Sequence, residues 1–414
     1  MRLPSLFSYF PVFLSAFFLL SCGSPAERTE QTTREKAGAI HTDVLTLDSH
    51  VDTPLMLMRE GFDISEYNDP HDGGGKLDFP RMLEGGLDAA FFAVYLAQGE
   101  LTPEAYTENH QRALHIFELI HQAIEENQDV AALALTADDA QRIHDEGRLA
   151  IYIGNENGYP IGKNLDMLQK YYDLGSRYMG LSHSRNNQIC DASTDNDGPL
   201  HGGLSEFGVE VVKELNRIGM MVDVSHISDD AFYDVLEVTE VPVMASHSNV
   251  RAICDHPRNL DDDMIIALAE NGGVLQLSVL SAYVKEMESD PEREEAFAEL
   301  RERWNNFQGL SDEEMNQARE EWWALNNKYP APMATVSDLV DHIDHVTDLV
   351  GVEYVGIGTD FDGGGALEDC FDVSELPNIT KELVKRGYTK EEIEMIWSGN
   401  FLRVFGEAEK FAAK

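Results

Sequence analysis

The sequence predicts an α/β fold, a (β/α)8 TIM-type barrel with a helical insertion after the seventh strand. Three observations predict it. From Asp43 onward, short β-type runs alternate with amphipathic helical segments; eight such β-then-α units fill the remaining length; and one charged stretch without strand signal interrupts them. A doubly wound open sheet satisfies the same alternation and stands as the alternative.

The apolar, β-branched or aromatic runs that mark strands are 44–47, 89–95, 149–153, 178–181, 220–224, 241–245, 274–277 and 354–357. Helical patterns occupy 104–127, 203–218, 228–239, 261–270 and 334–349. Ser228 with Asp229 opens one helix with a capping residue, and Asn271-Gly272-Gly273 stops another before the 274 strand. The insertion spans 283–333, is highly charged as far as Asn327, and carries Trp304, Trp322 and Trp323. On the active face of a barrel such a segment serves as a lid, a dimer surface or a solvated decoration.

At 414 residues and 43% apolar content the chain can bury a sizeable core. Its formal net charge of -44 excludes nucleic acid and anionic membrane surfaces as natural partners. The same acidity is first a solubility adaptation and says little about a reaction. Arg2, the apolar stretch from Leu3 to Leu20 and the small residues Ser21-Cys22-Gly23-Ser24 make a secretory signal. Leu19-Leu20-Ser21-Cys22 resembles the lipobox of bacterial lipoproteins. The expectation is a lipoprotein signal peptide over 1–21, a lipid-bearing Cys22, a flexible tether over 22–38 and one domain over 39–414. That implies an exported protein anchored by lipid in the bacterial cell envelope, on the periplasmic or outer-membrane side. An uncleaved signal anchor and an ordinary signal peptidase site are the alternatives. Cys190, Cys254 and Cys370 remain; the odd number leaves at least one thiol free, export permits one disulfide whose pair the sequence does not choose, no CxxC spacing occurs, and each suits a small buried hydrophobe.

If the runs are parallel barrel strands, their C-terminal ends share one rim. Strand one ends on His50 and Asp52, which period-two geometry points the same way; strand three reaches Glu156; strands four, five and six end at His183, His226 and His247; strand eight ends at Asp360. A lone His at a strand end is more often a hydrogen-bonded residue than a ligand. Six of eight strands bringing metal-type residues to one rim is a metal site. Three histidines with two or three carboxylates exceed one catalytic zinc's needs. The surplus favours two ions about 3.5–4 Å apart sharing a carboxylate and a hydroxide, with Glu156 as the bridge. A mononuclear site with the leftover groups moving protons is the alternative.

Several stretches together resemble the membrane (renal-type) dipeptidases of the amidohydrolase-like barrels. They are Asp48-Ser49-His50-Val51-Asp52-Thr53-Pro54, Gly154-Asn155-Glu156-Asn157-Gly158, Leu181-Ser182-His183, Val222-Asp223-Val224-Ser225-His226, Ala245-Ser246-His247-Ser248, Arg258-Asn259-Leu260, Gly356-Ile357-Gly358-Thr359-Asp360-Phe361-Asp362-Gly363 and Asn400-Phe401-Leu402-Arg403-Val404-Phe405. The resemblance covers nearly everything after Asp43. It implies two Zn2+ per chain held by His50, Asp52, Glu156, His226 and His247, with Glu156 bridging. It further implies that His183 polarises the scissile carbonyl, that Arg258 grips the substrate's terminal carboxylate, and that Asp360 takes a proton from the bridging water and gives it to the leaving amine. The implied substrates are dipeptides with a free C-terminal carboxylate, L-Xaa-D-Xaa dipeptides included, and a homodimer is implied as well.

Asn157 stands where the family commonly has Gly, in a position that Asn tolerates, and the insertion is longer than in the animal members. His342 and His345 are expected to pack or face solvent, Asp362 to stabilise the Gly363-Gly364-Gly365 turn, His201 to have even claims on the pocket, and His256 to sit in a loop beside it. The alternative functions are a related amidohydrolase acting on an N-acyl amino acid, lactone or cyclic amide, and a non-catalytic peptide-binding lipoprotein.

Overall fold

The computed structural model describes residues 25–287, 290–307, 310 and 312–414. The expected signal peptide over 1–21 and Cys22 lie outside the described residues. Among the described residues nine strands follow one another: β1 Leu47–Val51, β2 Ala89–Tyr95, β3 Ala131–Leu133, β4 Leu149–Glu156, β5 Ser176–Gly180, β6 Met221–Asp223, β7 Met244–Ser248, β8 Val274–Leu277 and β9 Val355–Ile357. All pair in parallel, in the order β1-β2-β4-β5-β6-β7-β8-β9. The ends meet where the Asp360 amide donates to His50 O (3.0 Å) and the Asp52 amide to Phe361 O (2.8 Å). A nearly closed (β/α)8 barrel results, and the open sheet is excluded. Within the described residues the helical insertion follows β8, the seventh barrel strand, and comprises Ser281–Val284, Pro291–Arg303 and Asp312–Lys328 with a 3-10 turn at Asn305–Phe307.

Alternate strand residues face opposite layers. Leu47, Phe91, Tyr152, Tyr178, Met221, Met244 and Val274 point into the barrel, where Phe401 and Phe405 of the C-terminal helix Asn400–Ala412 pack on them. Phe92, Ile151, Met179, Val222, Ala245, Leu275 and Ile357 point outward into the larger core beneath the helices. With one end of the barrel filled by aromatic side chains, the open end is the C-terminal rim.

Two expectations are corrected. The stretch expected as a flexible tether is, from Pro25, the first part of a helix, Pro25–Asp43. Its polar composition belongs to an exposed face, whereas Ala37, Ile40 and His41 are buried. The His41 ring bonds Thr380 Oγ1 (2.7 Å) and Gly85 O (2.8 Å) and meets the Trp397 ring edge-on. The first strand is not 44–47 but Leu47–Val51, because the segment before it is held by Asp88, which accepts from the Thr46 amide (2.9 Å). Strand β3 was not expected: it covers the first residues of β4 (Ala131 opposite Leu149), before β5 takes over at Ile153. Cys190, Cys254 and Cys370 are buried free thiols. No described helix is long and apolar enough to cross a membrane.

Candidate metal centre

Glu156 ends β4 at the barrel axis, 3% exposed. Its Oε1 lies 3.0 Å from His226 Nε2 and 3.5 Å from both His183 Nε2 and His247 Nε2; its Oε2 lies 3.5 Å from His50 Nε2. Asp52 Oδ2 is 3.6 Å from the same His50 nitrogen. His50, Asp52 and Asp360 each offer a ligand atom within 4.8 Å of the others'. All seven rim residues expected from the sequence therefore meet in one place.

Local backbone irregularities aim them. The β1–β2 register shifts between Asp48 and Val51, and the β7–β8 register between Ala245 and Ser248; these bulges turn His50 and His247 out of the plain alternation. Thus His50 and Asp52 do converge, but through a bulge and not through simple period-two geometry. His226 (φ 71°), Asp360 (φ 63°) and Asn157 (φ 74°) are left-handed, at about 1–3 kcal/mol of strain each. Asn157 is over-determined: it donates to Leu96 O (3.0 Å) and accepts from the Tyr159 amide and Asn187 Nδ2 (3.1 Å each). The Asn that departs from the family pattern thus fits its position.

The buried atoms His50 Nε2 and Asp52 Oδ1, both at this centre, have no hydrogen-bond partner. Orphaned buried polar atoms are rare, and imidazole and carboxylate lone pairs converging on one point are the donor set of a divalent metal. His226 Nε2 and His247 Nε2 are 2.8 Å apart, and both face Glu156 Oε1. These residues fit a metal.

Hydrogen bonds behind the ligands set the tautomers. Ser246 Oγ donates to Asp223 Oδ2 (2.6 Å) and so accepts from His247 Nδ1 (2.8 Å), which leaves the Nε2 lone pair for the centre. His50 Nδ1 meets the Tyr178 hydroxyl at 2.8 Å across the barrel. Gly154 makes room for that crossing, since a Cβ there would overlap the Tyr178 ring. Tyr178→Phe is expected to weaken metal binding by about 10–100-fold; a competition titration giving wild-type affinity would remove Tyr178 from the site.

Burial holds His226 and His247 well below the usual histidine range, so both are neutral and ready to ligate. For His50 burial acts the same way, but Tyr178 and Glu156 outweigh it and raise the ring well above that range. Burial would raise Glu156; the rings of His50 and His183 outweigh it and keep the carboxyl ionised. Asp52 is pushed up to about 6, by burial and then by the Glu156 charge. A ligand must shed its proton, and before metal binds both His50 and Asp52 hold theirs more tightly than usual. Metal affinity should therefore begin to fall below the raised His50 value and fall more steeply as pH drops through about 6, where Asp52 also takes a proton, by about tenfold per unit for each proton displaced. A dye-competition series from pH 8 to 5 tests this, and a flat profile would contradict it.

Arg258 is buried, donating from Nη1 to Ser248 Oγ (3.1 Å) and from Nη2 to His247 O (3.0 Å), while its Nε has no partner. His256 supports it by accepting the Arg258 amide on Nδ1 (3.2 Å) and placing its ring 4.6 Å from that of Tyr283. His201 is not at the centre; its ring bonds Asn187 O. His342 packs in the core between the Val250 amide and Val284 O, and His345 pairs with Asp262 on the surface side. Asp362 corrects its expectation: it accepts from the Lys76 amide (2.7 Å) and Thr53 Oγ1 (2.8 Å), tying neighbouring loops together in place of the glycine turn. Sequence reasoning missed Tyr178, Asp223, Ser246 and Tyr95, whose ring lies 4.8 Å from that of His183.

The sequence pattern of the family described as membrane dipeptidase (peptidase family M19) matches residues 34–414. Dipeptidase aclJ of Aspergillus oryzae is 32% identical over 343 residues, 82% of this chain and 71% of that protein. Dipeptidase 3 of Mus musculus is 30% identical over 387 residues, 92% of this chain and 68% of that one. The crystal structure of the probable dipeptidase PvdM from Pseudomonas aeruginosa superposes with a TM-score of 0.80 at 30% identity, over 92% of this chain and all of the other. With the match spanning the barrel that gathers these histidines and carboxylates, the chain belongs to the membrane dipeptidase family, peptidase family M19, and is a metal-dependent hydrolase of peptide bonds.

Proposed function

We propose that the chain is a binuclear zinc dipeptidase that cleaves dipeptides with a free C-terminal carboxylate, L-Xaa-D-Xaa dipeptides included. The observation that carries this reading is the division of the Glu156 carboxylate, with one oxygen toward His50 and the other toward His183, His226 and His247. Two Zn2+ ions, held by His50, Asp52, Glu156, His226 and His247, would supply Lewis acidity and lower the pKa of water at the centre.

The chain's own residues do the rest. Arg258, fixed through Nη1 and Nη2, keeps donors for a carboxylate, which gives it the fork that reads the dipeptide's C-terminus. A bound carboxylate there restricts the site to substrates ending one residue past the scissile bond. His183, 21% exposed at its side chain, is the rim imidazole that faces an incoming carbonyl and meets its developing negative charge. Before metal binds, burial and then the Asp52 charge raise Asp360 well above the carboxylate range, and at the loaded centre this carboxyl takes the proton of the attacking water and hands it to the leaving amine.

The test pairs elemental analysis with a panel of L-L and L-D dipeptides, with and without chelator. Two zinc per chain and chelator-sensitive cleavage are expected; metal without cleavage of any dipeptide would move the function to another bond. Arg258→Met should raise KM by about 10–100-fold, the loss of a charge-assisted hydrogen bond. An unchanged KM would show that the carboxylate is read elsewhere.

A further inference from the structure

Between the insertion and the loops after β1 and β9 lies a cavity of about 780 Å³. Met56, Leu280, Met287, Trp322, Met333 and Phe371 give it an apolar lining. The cations around it are engaged elsewhere. Lys76 Nζ donates to Gly365 O (2.5 Å) and lies over the Phe371 ring; Arg59 donates to Gly73 O (2.6 Å); Arg293 donates to Asn326 Oδ1 (3.2 Å) and to Tyr329 O. Met333, by contrast, is a large apolar side chain left 37% exposed.

Two segments lining the cavity also form the metal centre's surroundings. Gly363 is one: a Cβ on it would collide with Asp52 Oδ2 and Asp360 Oδ1, so a single glycine separates the cavity from the two carboxylates. The segment Leu280, Ser281 and Ala282 is the other; it runs directly into Tyr283, whose ring stands 5.4 Å from the Arg258 guanidinium carbon. The cavity therefore flanks both the centre where the bond is cut and the arginine that reads the carboxylate. Its volume is that of a small-molecule pocket, and its lining favours hydrocarbon.

We infer that this cavity is a specificity pocket that receives a bulky apolar side chain of the dipeptide, with Trp322 and Met333 of the insertion as its determinants. The inference rests on the dipeptidase reading above and adds the substrate class. A peptide held by its carboxylate and scissile carbonyl has only its side chains free to reach past Gly363, and removing one from water into this lining favours substrates with Leu, Phe or Met over Ala or Gly.

The experiment measures kcat/KM of the zinc-loaded full chain for Ala-Ala and for dipeptides with Leu or Phe at each position in turn. Wild type is expected to prefer a bulky residue at one of the two positions by about tenfold or more, and Trp322→Ala and Met333→Asp each to lower that bulky-to-small ratio by about tenfold. The ratio is read only on active enzyme, and Met333 is exposed enough for its substitution to leave the core intact. Chelator-sensitive cleavage of Ala-Ala with no preference in wild type, or a ratio unmoved in both variants, overturns the pocket and leaves the dipeptidase reading standing. Cleavage of no dipeptide overturns that reading, and this inference with it.

Discussion

Asp360→Asn is expected to lower kcat by about 10²–10⁴-fold, the range for removal of a general acid–base group, with KM little changed and metal content intact. The substitution keeps the shape of the side chain. It also keeps the backbone, because Asn is among the few residues that accept a left-handed φ of 63°. The hydrogen bonds that hold the position are main-chain: the Asp360 amide donates to His50 O, and its carbonyl accepts from the amides of Gly363 (3.1 Å) and Gly365 (2.8 Å). What disappears is the proton. Without metal, burial and the Asp52 charge raise this carboxyl well above its ordinary value; in the loaded enzyme it is to take the water's proton and pass it to the amine, and an amide can do neither. The variant should lose the limb that titration of this carboxyl gives the wild-type kcat–pH profile. Retention of both kcat and the limb, with zinc still bound, would assign proton delivery to another group, for which His183 is placed.

Much of this site was legible because barrel geometry converts strand order into a rim. Once β4, β6 and β7 are recognised as apolar runs, Glu156, His226 and His247 fall at or just beyond their ends without any structural information. What stayed hidden depends on groups distant in sequence. Tyr178 acts on His50 from the opposite wall, and its sequence signal is only an inward position on β5. Ser246 matters because it stands between Asp223 and His247, a relay that neither residue announces alone. The helix Pro25–Asp43 has the composition of a tether, and only its docking against Thr380, Gly85 and Trp397 makes it part of the domain. Strand β3, three residues of Ala131-Ala132-Leu133, exists because the edge of β4 is longer than β5 can cover.

Glu156→Gln should have the largest effect. It is expected to empty the site of metal and to lower turnover by more than about 10⁴-fold, since enzymes accelerate their reactions by at least about 10⁶. The carboxylate stands within 3.5 Å of four histidine nitrogens, and an amide offers that space one acceptor oxygen, no charge, and an NH2 directed at imidazole. Loss of folding would produce the same inactivity, so stability must be read alongside it. In the metal-free protein the ionised Glu156 faces the raised His50 ring, so a neutral isostere removes one partner of a buried ion pair. The chelator-treated variant is therefore expected to melt below chelator-treated wild type while remaining folded at the assay temperature. Adding zinc separates them: a ligand at 100 times its Kd stabilises by about 2.7 kcal/mol, and only the wild type should show the rise in Tm. If zinc raised the Tm of Glu156→Gln equally, the histidines would be holding the metal without Glu156, and its carboxylate could not be what joins two ions. If the metal-free variant were unfolded at the assay temperature, lost activity could no longer be credited to lost metal.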